Sequence, residues 1–354
     1  MPGEPPPVHK LCPIFAAFAL CLASCLLVGC FGMPSEPQVA ATVNGDAIYE
    51  SEVTEYIEGF RAQNPEYESD EGWAEFLRGN GYTAESIRRL VLDSVFIPKV
   101  LIHQECAARG ITLTDSELDA VIEEERQYYE GRYGDNSWES VLSSYGYDEE
   151  SWRENEADRL LEEQLIVEVV GAVQADEQQI QAEADANAAV YNGKHSYYRS
   201  FSSEQAGQRA LSALRETKGA MHLSDFETEN SPAVNAGWNS IPSDREAMST
   251  EYISALNELG QGEYSGLVQQ GSQWIIVFCD QVYNVTRNNG HVNLSAMPDE
   301  IYRQVRQDAH DALVESTFAD WVAQRVEAAG IEYVDIPDGL PYDVNVALSK
   351  DADE

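Results

Sequence analysis

The alternation of apolar and polar positions changes along the chain, and near its beginning it predicts a strand, a turn and a helix. Val39–Val43 is a short apolar run followed by Asn44–Gly45, a strong signal for a tight turn between extended segments. The extended chain resumes at Ala47–Ile48, and a helix is predicted to begin near Ser51. The apolar face of this helix is formed by Val53, Ile57 and Phe60.

Helical spacing continues over residues 73–190, which also contain an internal repeat. One repeat consists of a helix that ends at a glycine, an aromatic residue directly after it, and a second helix. Between the two copies, Thr114–Glu117 has the pattern of a capping box that opens another helix. We expect the tryptophan of each copy to lock a helical hairpin, while some apolar faces line a crevice. The recurring residues are Trp73, Leu77, Gly81, Tyr82, Glu85, Ser86 and Arg88 in the first copy, and Trp138, Leu142, Gly146, Tyr147, Glu150, Ser151 and Arg153 in the second.

Residues 191–285 have a mixed pattern that predicts a small α+β domain. Tyr197–Phe201 and Trp274–Phe278 are predicted strands because they are rich in aromatic and β-branched residues. Helices are predicted over residues 202–218 and 249–259.

Residues 296–330 are predicted to form one more amphipathic helix. This helix cannot bury its apolar side alone, so we expect it to pack back onto the N-terminal helical region. The tail from Pro337 to Glu354 is polar and acidic, and it is predicted to be frayed. The predicted fold is therefore mainly α-helical with an inserted small α+β domain. Its parts are a signal segment (1–29), a linker (30–38), a helical domain (39–190), the α+β domain (191–285), a returning helix (286–335) and an acidic tail (336–354).

An uncharged apolar stretch occupies residues 11–29 and follows a single positive charge, Lys10. It ends in Leu27-Val28-Gly29-Cys30, which resembles the cleavage box of bacterial lipoproteins. That resemblance implies cleavage before Cys30 and lipidation of its thiol. Since about 20 apolar residues can also span a bilayer, an uncleaved transmembrane anchor is the alternative. Either interpretation puts residues 31–354 outside the cytoplasm and beside a membrane.

Acidic side chains dominate the charge of this chain. The 354 residues include 62 acidic and 22 basic side chains, which gives a net charge of −40. A surface this acidic repels phosphate backbones, so nucleic acid is not an expected partner. The sequence contains no phosphate-binding glycine loop, no HExxH and no CxxC, which disfavours P-loop ATPases, zincins and thioredoxin-like enzymes. No metal and no cofactor is expected.

Only Cys106 and Cys279 lie beyond the N-terminal segment. Two cysteines do not make the disulfide framework of a small secreted domain. One bridge between them is left open for an oxidising compartment. Two buried thiols are favoured, because Cys279 follows an apolar strand and Cys106 lies on a predicted helix.

Two segments carry a resemblance to one protein family. Residues 39–53, VAATVNGDAIYESEV, resemble the start of the SurA/PrsA-type extracytoplasmic foldases. Residues 191–285 resemble the parvulin-type peptidyl-prolyl isomerase module of these proteins. The best match is LGQGEYSGLV at residues 259–268, where the family has Leu-x-x-Gly-Glu-x-Ser-x-x-Val. The resemblance covers most of the chain in architecture and a smaller part in specific motifs.

The parvulin resemblance implies an apolar proline pocket and two core histidines, and the chain departs from this pattern. The last-strand histidine position holds Trp274 and the first-strand position holds Tyr197. His195 lies two residues earlier, on the same face of a regular strand. The catalytic candidates are therefore His195, Tyr197 and Trp274. The candidates for substrate binding are Met248, Tyr252, Trp238 and Phe226.

The resemblance implies a lipid-anchored extracytoplasmic folding factor that binds unfolded or nascent exported polypeptides. A Tyr–Trp pair does not titrate near neutrality as histidine does, so weak or no prolyl isomerase activity is expected. Chaperone function needs only adaptable apolar surface. An active peptidyl-prolyl isomerase and a non-catalytic envelope scaffold are the alternatives, and a homodimer is left open.

Overall fold

The computed structural model describes residues 37–216, 221–227, 232–241 and 248–344. The predicted signal segment, the lipidation candidate Cys30 and the end of the acidic tail lie outside the described residues. The chain divides into two compact units. Unit 1 comprises residues up to Ala172 and from Val314 onward, and unit 2 runs from Val173 to Leu313. Unit 2 is therefore inserted in the sequence of unit 1, and the fold is mainly helical with a smaller α+β part, as the sequence predicted.

The helices of the described ranges are α1 (Glu50–Gln63), α2 (Asp70–Asn80), α3 (Ala84–Val91), α4 (Ile97–Arg109), α5 (Asp115–Tyr133), α6 (Trp138–Ser144), α7 (Glu149–Val170), α8 (Glu177–Ala186), α9 (Glu204–Glu216), α10 (Leu223–Phe226), α11 (Thr250–Asn257) and α12 (Asp299–Ala328). The strands are β1 (Val39–Val43), β2 (Asp46–Tyr49), β3 (Gly193–Phe201), β4 (Val234–Trp238), β5 (Glu263–Tyr264), β6 (Val268–Gln270), β7 (Gln273–Tyr283), β8 (Arg287–Asn288), β9 (His291–Val292) and β10 (Ile331–Tyr333). Among these described residues, no helix is both long enough and apolar enough to cross a membrane.

A three-stranded antiparallel sheet joins the two ends of unit 1. β1 pairs with β2 on one side and with β10 on the other. The predicted turn between β1 and β2 is confirmed, since Asn44 and Gly45 have φ values of 53° and 97°. Such positive angles are the reason for the Asn-Gly sequence, because these two residues tolerate them best.

The internal repeat predicted from the sequence is present in the helices. Gly81 after α2 and Gly146 after α6 are left-handed, with φ values of 73° and 82°. The N–H of Tyr82 donates to the carbonyl of Leu77 at 2.7 Å, and the N–H of Tyr147 donates to that of Leu142 at 3.0 Å. These bonds are the six-to-one closure of a Schellman helix end. The next helices, α3 and α7, both begin with a capping box, so each copy is a helical hairpin with the same joint.

The predicted fraying of the C-terminal tail is wrong for residues 337–344. The Tyr342 side chain is fully buried in the core of unit 1, and Leu340 and Val344 pack against that core. The Tyr342 hydroxyl donates to the buried carboxylate of Glu50, and the Tyr342 carbonyl accepts from Nε1 of Trp73. The polar composition of the tail hid these three apolar contacts, and their burial is what holds the segment in place.

The part of α12 that belongs to unit 1 packs on the helices of that unit. Phe318 lies in a cluster with Ile102, Cys106 and Leu165. Arg325 contacts Glu105 at 3.1 Å. The helix thus buries its apolar side in unit 1 beyond Val314.

Unit 2 is built on a five-stranded sheet with helices on both faces. The strand order is β4-β3-β7-β5, and β6 also pairs with β7. The long antiparallel pair β3–β7 aligns Tyr197 with Phe278 and Phe201 with Trp274. α9 and α10 pack on one face of this sheet and α11 on the other. We call these the α9 face and the α11 face.

Unit 2 extends beyond the predicted limits of the α+β domain, 191–285. A third cluster joins Ile180 of α8 and Ile301 of α12 to Tyr191 and Trp238. These contacts bring residues 173–190 and 286–313 into unit 2. The helical spacing of apolar residues alone could not separate α8 from the helices of unit 1. This spacing shows which face of a helix is buried, but it does not show which element packs against that face.

Candidate functional site

The predicted site residues of unit 2 do not form one site, because the sheet separates them. Met248 and Tyr252 pack on the α11 face, together with Tyr198, Val277 and Cys279. Tyr197 and Phe226 pack on the α9 face, together with Phe278. The pleat of the strands explains the division, since neighbouring residues of a strand point to opposite faces.

The α11 face is where the proline pocket was predicted, and it holds a buried hydroxyl pair. The hydroxyl of Tyr252 donates to Oγ of Ser196 at 3.0 Å, and both residues are buried. Burial raises the pKa of Tyr252 to about 12. The ring of Tyr198 meets that of Tyr252 edge-on, with centroids 5.9 Å apart. Tyr252 therefore stays protonated near neutrality, and these side chains fill the α11 face.

Cys279 completes the polar groups of the α11 face. It is a free thiol, fully buried, with Sγ 3.6 Å from the carbonyl oxygen of Gln281. Burial raises the pKa of this thiol above its ordinary value. Cys279 is therefore an inert buried thiol. The sequence predicted the buried thiol of Cys279 correctly, but it gave no sign that Ser196 is the partner of Tyr252.

His195 lies apart from Tyr252 and beside two other candidates. Its ring centroid is 5.2 Å from that of Tyr197 and 5.4 Å from that of Trp238. The His195 side chain is buried, and its Nδ1 lies 3.4 Å from the carboxylate of Asp280 without a hydrogen bond. Two irregularities in strand pairing, one on each side of Ser196, bend β3 at this point.

Trp274 and Phe226 take structural positions in unit 2. Trp274 aligns with Phe201 at the end of the β3–β7 pair. Phe226 is fully buried and stacks on Phe278 with centroids 5.1 Å apart. Its backbone carbonyl accepts a hydrogen bond from Arg199 at 2.8 Å. The structure thus brings together His195, Tyr197 and Trp238 as one group and Met248 and Tyr252 as another.

Unit 1 contains two open clefts. The first, of about 390 Å³, lies between β2 and α4 and is lined by apolar side chains that include Ile48, Phe96 and Val100. Its polar wall includes Lys99 and His103, which both contact Asp158, at 2.6 and 2.8 Å.

The second cleft, of about 450 Å³, lies in the second copy of the repeat, and we call it the α5–α7 cleft. Trp138 and Trp152 form its aromatic floor, with ring centroids 6.2 Å apart at a nearly right angle. Nε1 of Trp152 donates to the carboxylate of Glu125 at 2.9 Å. Burial, and then the charge of Glu156, raise the pKa of Glu125 to about 7. The lining residues are Asp119, Ile122, Glu123, Arg126, Trp138, Glu149, Glu150, Trp152 and Arg153.

No group of three or more metal-ligating side chains is placed to hold a metal ion in the part of the chain that the structure describes. The carboxylates of unit 1 instead pair with arginines. Examples are Glu50 with Arg88 at 2.7 Å and Glu149 with Arg126 at 2.8 Å.

Comparison with known proteins identifies the helical part. The family of SurA-like N-terminal domains matches residues 10–166. The foldase protein PrsA of Clostridium perfringens is 28% identical over 136 residues, which are 36% of this chain and 38% of that protein. The match thus spans well under half of the relative's length.

Solved structures of low similarity cover more of the chain. A chain from the study of two SurA-like chaperones of Campylobacter jejuni is 11% identical, with a TM-score of 0.39, and the match covers 84% of this chain and 100% of that one. PrsA of Bacillus subtilis is 15% identical, with a TM-score of 0.34, over 71% of this chain and 88% of that one. The helical part of the chain, residues 10–166, is thus similar to the SurA-like N-terminal domains.

Proposed function

We propose that this protein is a membrane-anchored extracytoplasmic chaperone that holds unfolded exported polypeptides while they fold. The observation that carries the proposal is the SurA-like domain over residues 10–166, which the similarity to a foldase protein supports. Cys30, at the end of the lipoprotein-like box, would carry the lipid anchor. Chaperone action requires apolar and aromatic surface that a client can reach, and the open clefts of unit 1, where Val100 and Trp152 are partly exposed, are the candidates for it.

Unit 2 contributes little or no prolyl isomerase activity in this proposal. The barrier to rotation of a peptide bond is about 18–20 kcal/mol, and an isomerase lowers it with a dry apolar pocket and shaped hydrogen bonds. The α11 face, where that pocket was predicted, is filled by Tyr252, Leu256 and Val277, each at most 2% exposed. The Tyr252–Ser196 bond occupies the polar groups of that face.

The acidic surface favours cationic clients. With a net charge of −40, the chain attracts basic segments of unfolded proteins and repels acidic ones. The same charge keeps the protein soluble beside an anionic membrane surface.

The test of the chaperone proposal is complex formation between the full chain in detergent micelles and an unfolded client. The abundant carboxylates of this chain suit a reagent that joins carboxyl groups to client lysines. The proposal predicts cross-links concentrated in residues 39–172. Cross-links confined to residues 173–313, or none above the level of a folded client, would contradict it.

A second function, active prolyl isomerisation, is favoured by the buried His195 with its unpartnered Nδ1 beside Tyr197. Exchange NMR on short Xaa-Pro peptides separates the two. We expect no acceleration by the full chain. An acceleration that His195→Ala abolishes would establish the isomerase instead.

A further inference from the structure

The internal repeat is longer than the sequence motif indicated, because α1–α3 and α5–α7 correspond throughout at an offset of 65 residues. At the start of both α1 and α5 the backbone N–H of the N-cap residue donates to a glutamate three residues later, Glu52 and Glu117. The ion pair between α1 and α3 recurs between α5 and α7. The polar residues that correspond are Glu50 with Asp115, Arg61 with Arg126, Trp73 with Trp138 and Arg88 with Arg153.

In the first copy these four residues bind the C-terminal segment of unit 1. Nε1 of Trp73 donates to the carbonyl of Tyr342 at 3.0 Å, and the Tyr342 hydroxyl donates to Glu50 at 2.9 Å. Arg61 donates to the carbonyl of Pro341 at 3.4 Å. Arg88 reaches the carbonyl of Val334 at 3.1 Å.

The bound segment is a turn and not a helix or strand. The N–H of Asp343 donates to the carbonyl of Leu340 at 3.0 Å, which places Pro341 and Tyr342 at the centre of the turn. Proline favours the first central position because its φ is already fixed there. The first copy is therefore a receptor for a proline–tyrosine turn, occupied by the chain itself.

In the second copy the corresponding acid and arginine are exposed to solvent. The Glu50 and Arg88 side chains are each 5% exposed, whereas those of Asp115 and Arg153 are 98% and 36% exposed. Arg126 lies 5.8 Å from the centroid of the Trp138 ring, much as Arg61 lies 5.5 Å from that of Trp73.

The donor that binds the turn in the first copy has no acceptor in the second. Trp138 is 2% exposed, and its Nε1 has no hydrogen-bond partner among the described residues. Nε of Arg126 is likewise unpartnered there. A buried indole N–H without an acceptor is unfavourable, and a carbonyl of a ligand would satisfy it.

We propose that the α5–α7 cleft binds a proline–tyrosine turn of an unfolded client, in the way that the first copy binds its own C-terminal turn. A backbone carbonyl of the client accepts the N–H of Trp138, and the tyrosine hydroxyl donates to Asp115. This inference rests on the proposed chaperone function and assigns it a recognition site.

The charge of the α5–α7 cleft determines which residues are favoured on either side of the client turn. Asp119, Glu123, Glu149 and Glu150 line it with only Arg126 and Arg153 in opposition. Glu125 adds a carboxylate where the first copy has the apolar Phe60. A turn with lysine or arginine on either side is therefore favoured.

The same charge argues against occupation by the tail of a second copy. The chain's own turn is flanked by Asp338 and Asp343, which the carboxylates of the cleft repel. A basic client segment fits where the acidic tail does not.

The probe is a fluorescent peptide of residues 337–344 carrying Asp338→Lys and Asp343→Lys. Its binding to the full chain in detergent micelles is measured by fluorescence anisotropy. We expect Trp138→Phe, which keeps an aromatic ring and removes the N–H, to weaken binding at least tenfold. The matched control Trp321→Phe removes an indole that packs on Phe318, away from the cleft, and should leave the affinity unchanged.

Asp115→Asn provides a second variant at a surface side chain, in case Trp138→Phe does not fold. Replacing tyrosine by phenylalanine in the peptide should weaken binding to the wild-type chain several-fold. It should make a smaller difference to the Asp115→Asn variant, because the amide oxygen of asparagine accepts the same hydrogen bond without the negative charge.

Equal affinity of wild-type protein and Trp138→Phe would overturn the proposal. So would tighter binding of the unmodified acidic peptide together with dimers in analytical ultracentrifugation, which would assign the cleft to a second copy.

Aggregation assays separate the proposed binding site from the proposed chaperone function. If both the wild-type protein and Trp138→Phe suppress aggregation but neither binds the peptide, the site assignment fails and the chaperone function stands. Peptide binding without any suppression of aggregation contradicts the function and leaves the site.

Discussion

Tyr342 anchors the C-terminal turn to unit 1, and Tyr342→Phe tests how much its hydroxyl contributes. The hydroxyl donates to a carboxylate at 2.9 Å in a fully buried position. Burial, with the charge of Glu50 second, raises the pKa of Tyr342 far above its ordinary value, so it remains a donor at every working pH. A hydrogen bond to a charged group contributes about 1.5–3 kcal/mol. Because Arg88 still pairs with Glu50 in the variant, we expect a loss near the middle, about 2 kcal/mol.

Tyr342→Ala removes the ring as well. Truncation of a buried aromatic side chain costs about 3–5 kcal/mol, because a cavity remains. We expect this variant to release the turn and to expose Trp73, whose N–H then loses the carbonyl of Tyr342.

Tyr333→Phe is the matched control for this prediction. Its hydroxyl donates to Asp93 at 2.6 Å, but the Asp93 side chain is 44% exposed. Changes at such a site usually alter stability by less than about 0.5 kcal/mol. Urea unfolding of the full chain, followed by far-ultraviolet circular dichroism, measures all three variants. Equal losses in Tyr342→Phe and Tyr333→Phe would refute the assignment of a buried, charged hydrogen bond.

Three further predictions concern pH, unit 2 and the anchor. The pKa of Glu125 is raised from 4.5 to about 7 by burial and then by Glu156, so the folded state binds the proton more tightly than the unfolded state. The stability that Glu125 contributes is therefore fully present below its unfolded pKa and is lost as pH rises through about 7, by about 1 kcal/mol after allowance for solvent screening. Trp152 fluorescence should report this change, and Glu125→Gln should abolish it. Tyr252→Phe, which removes the bond to Ser196, should destabilise unit 2 by about 1 kcal/mol and leave peptide-prolyl exchange unaltered, as urea unfolding and NMR would show. In a bacterial host, radiolabelled palmitate should label the wild-type protein and fail to label Cys30→Ala; equal labelling would place any lipid elsewhere.

Local signals in the sequence predicted much of the fold. The Asn44–Gly45 turn and the capping box at Thr114 are decided by a few adjacent residues, and the structure has both. The helix ends at Gly81 and Gly146 are also determined by adjacent residues in the sequence. The helix predicted to start at residue 202 is capped by Ser203, a small shift that two adjacent serines do not resolve.

Long-range contacts account for what the sequence did not predict. The ion pair of Glu50 and Arg88 joins residues 38 positions apart, and the turn at Tyr342 reaches Glu50 across 292 positions. In the sequence, Glu50, Arg88 and Tyr342 each have the pattern of a polar surface residue, because the partner that buries them is far away along the chain. The 65-residue offset, which already pairs Arg88 with Arg153, also predicts the importance of Glu50 and Arg61 when it is extended toward the N-terminus from the tryptophans.

The candidate site of unit 2 shows the limit of motif-based placement. Met248 and Tyr252 were expected to share a site with Tyr197, yet the sheet puts them on opposite faces. A single irregularity in strand pairing changes which face a residue occupies, and β3 has two beside Ser196. Such irregularities leave no clear trace in the sequence.

The most direct test of the central claim is aggregation of two unrelated unfolded clients, one of them without proline, followed by light scattering at equimolar full chain. A chaperone that binds unfolded chains through unit 1, without isomerase catalysis, suppresses the scattering of both clients to a similar extent. Suppression restricted to the proline-containing client, with faster recovery of its folded state, would contradict the account and identify prolyl isomerisation as the activity.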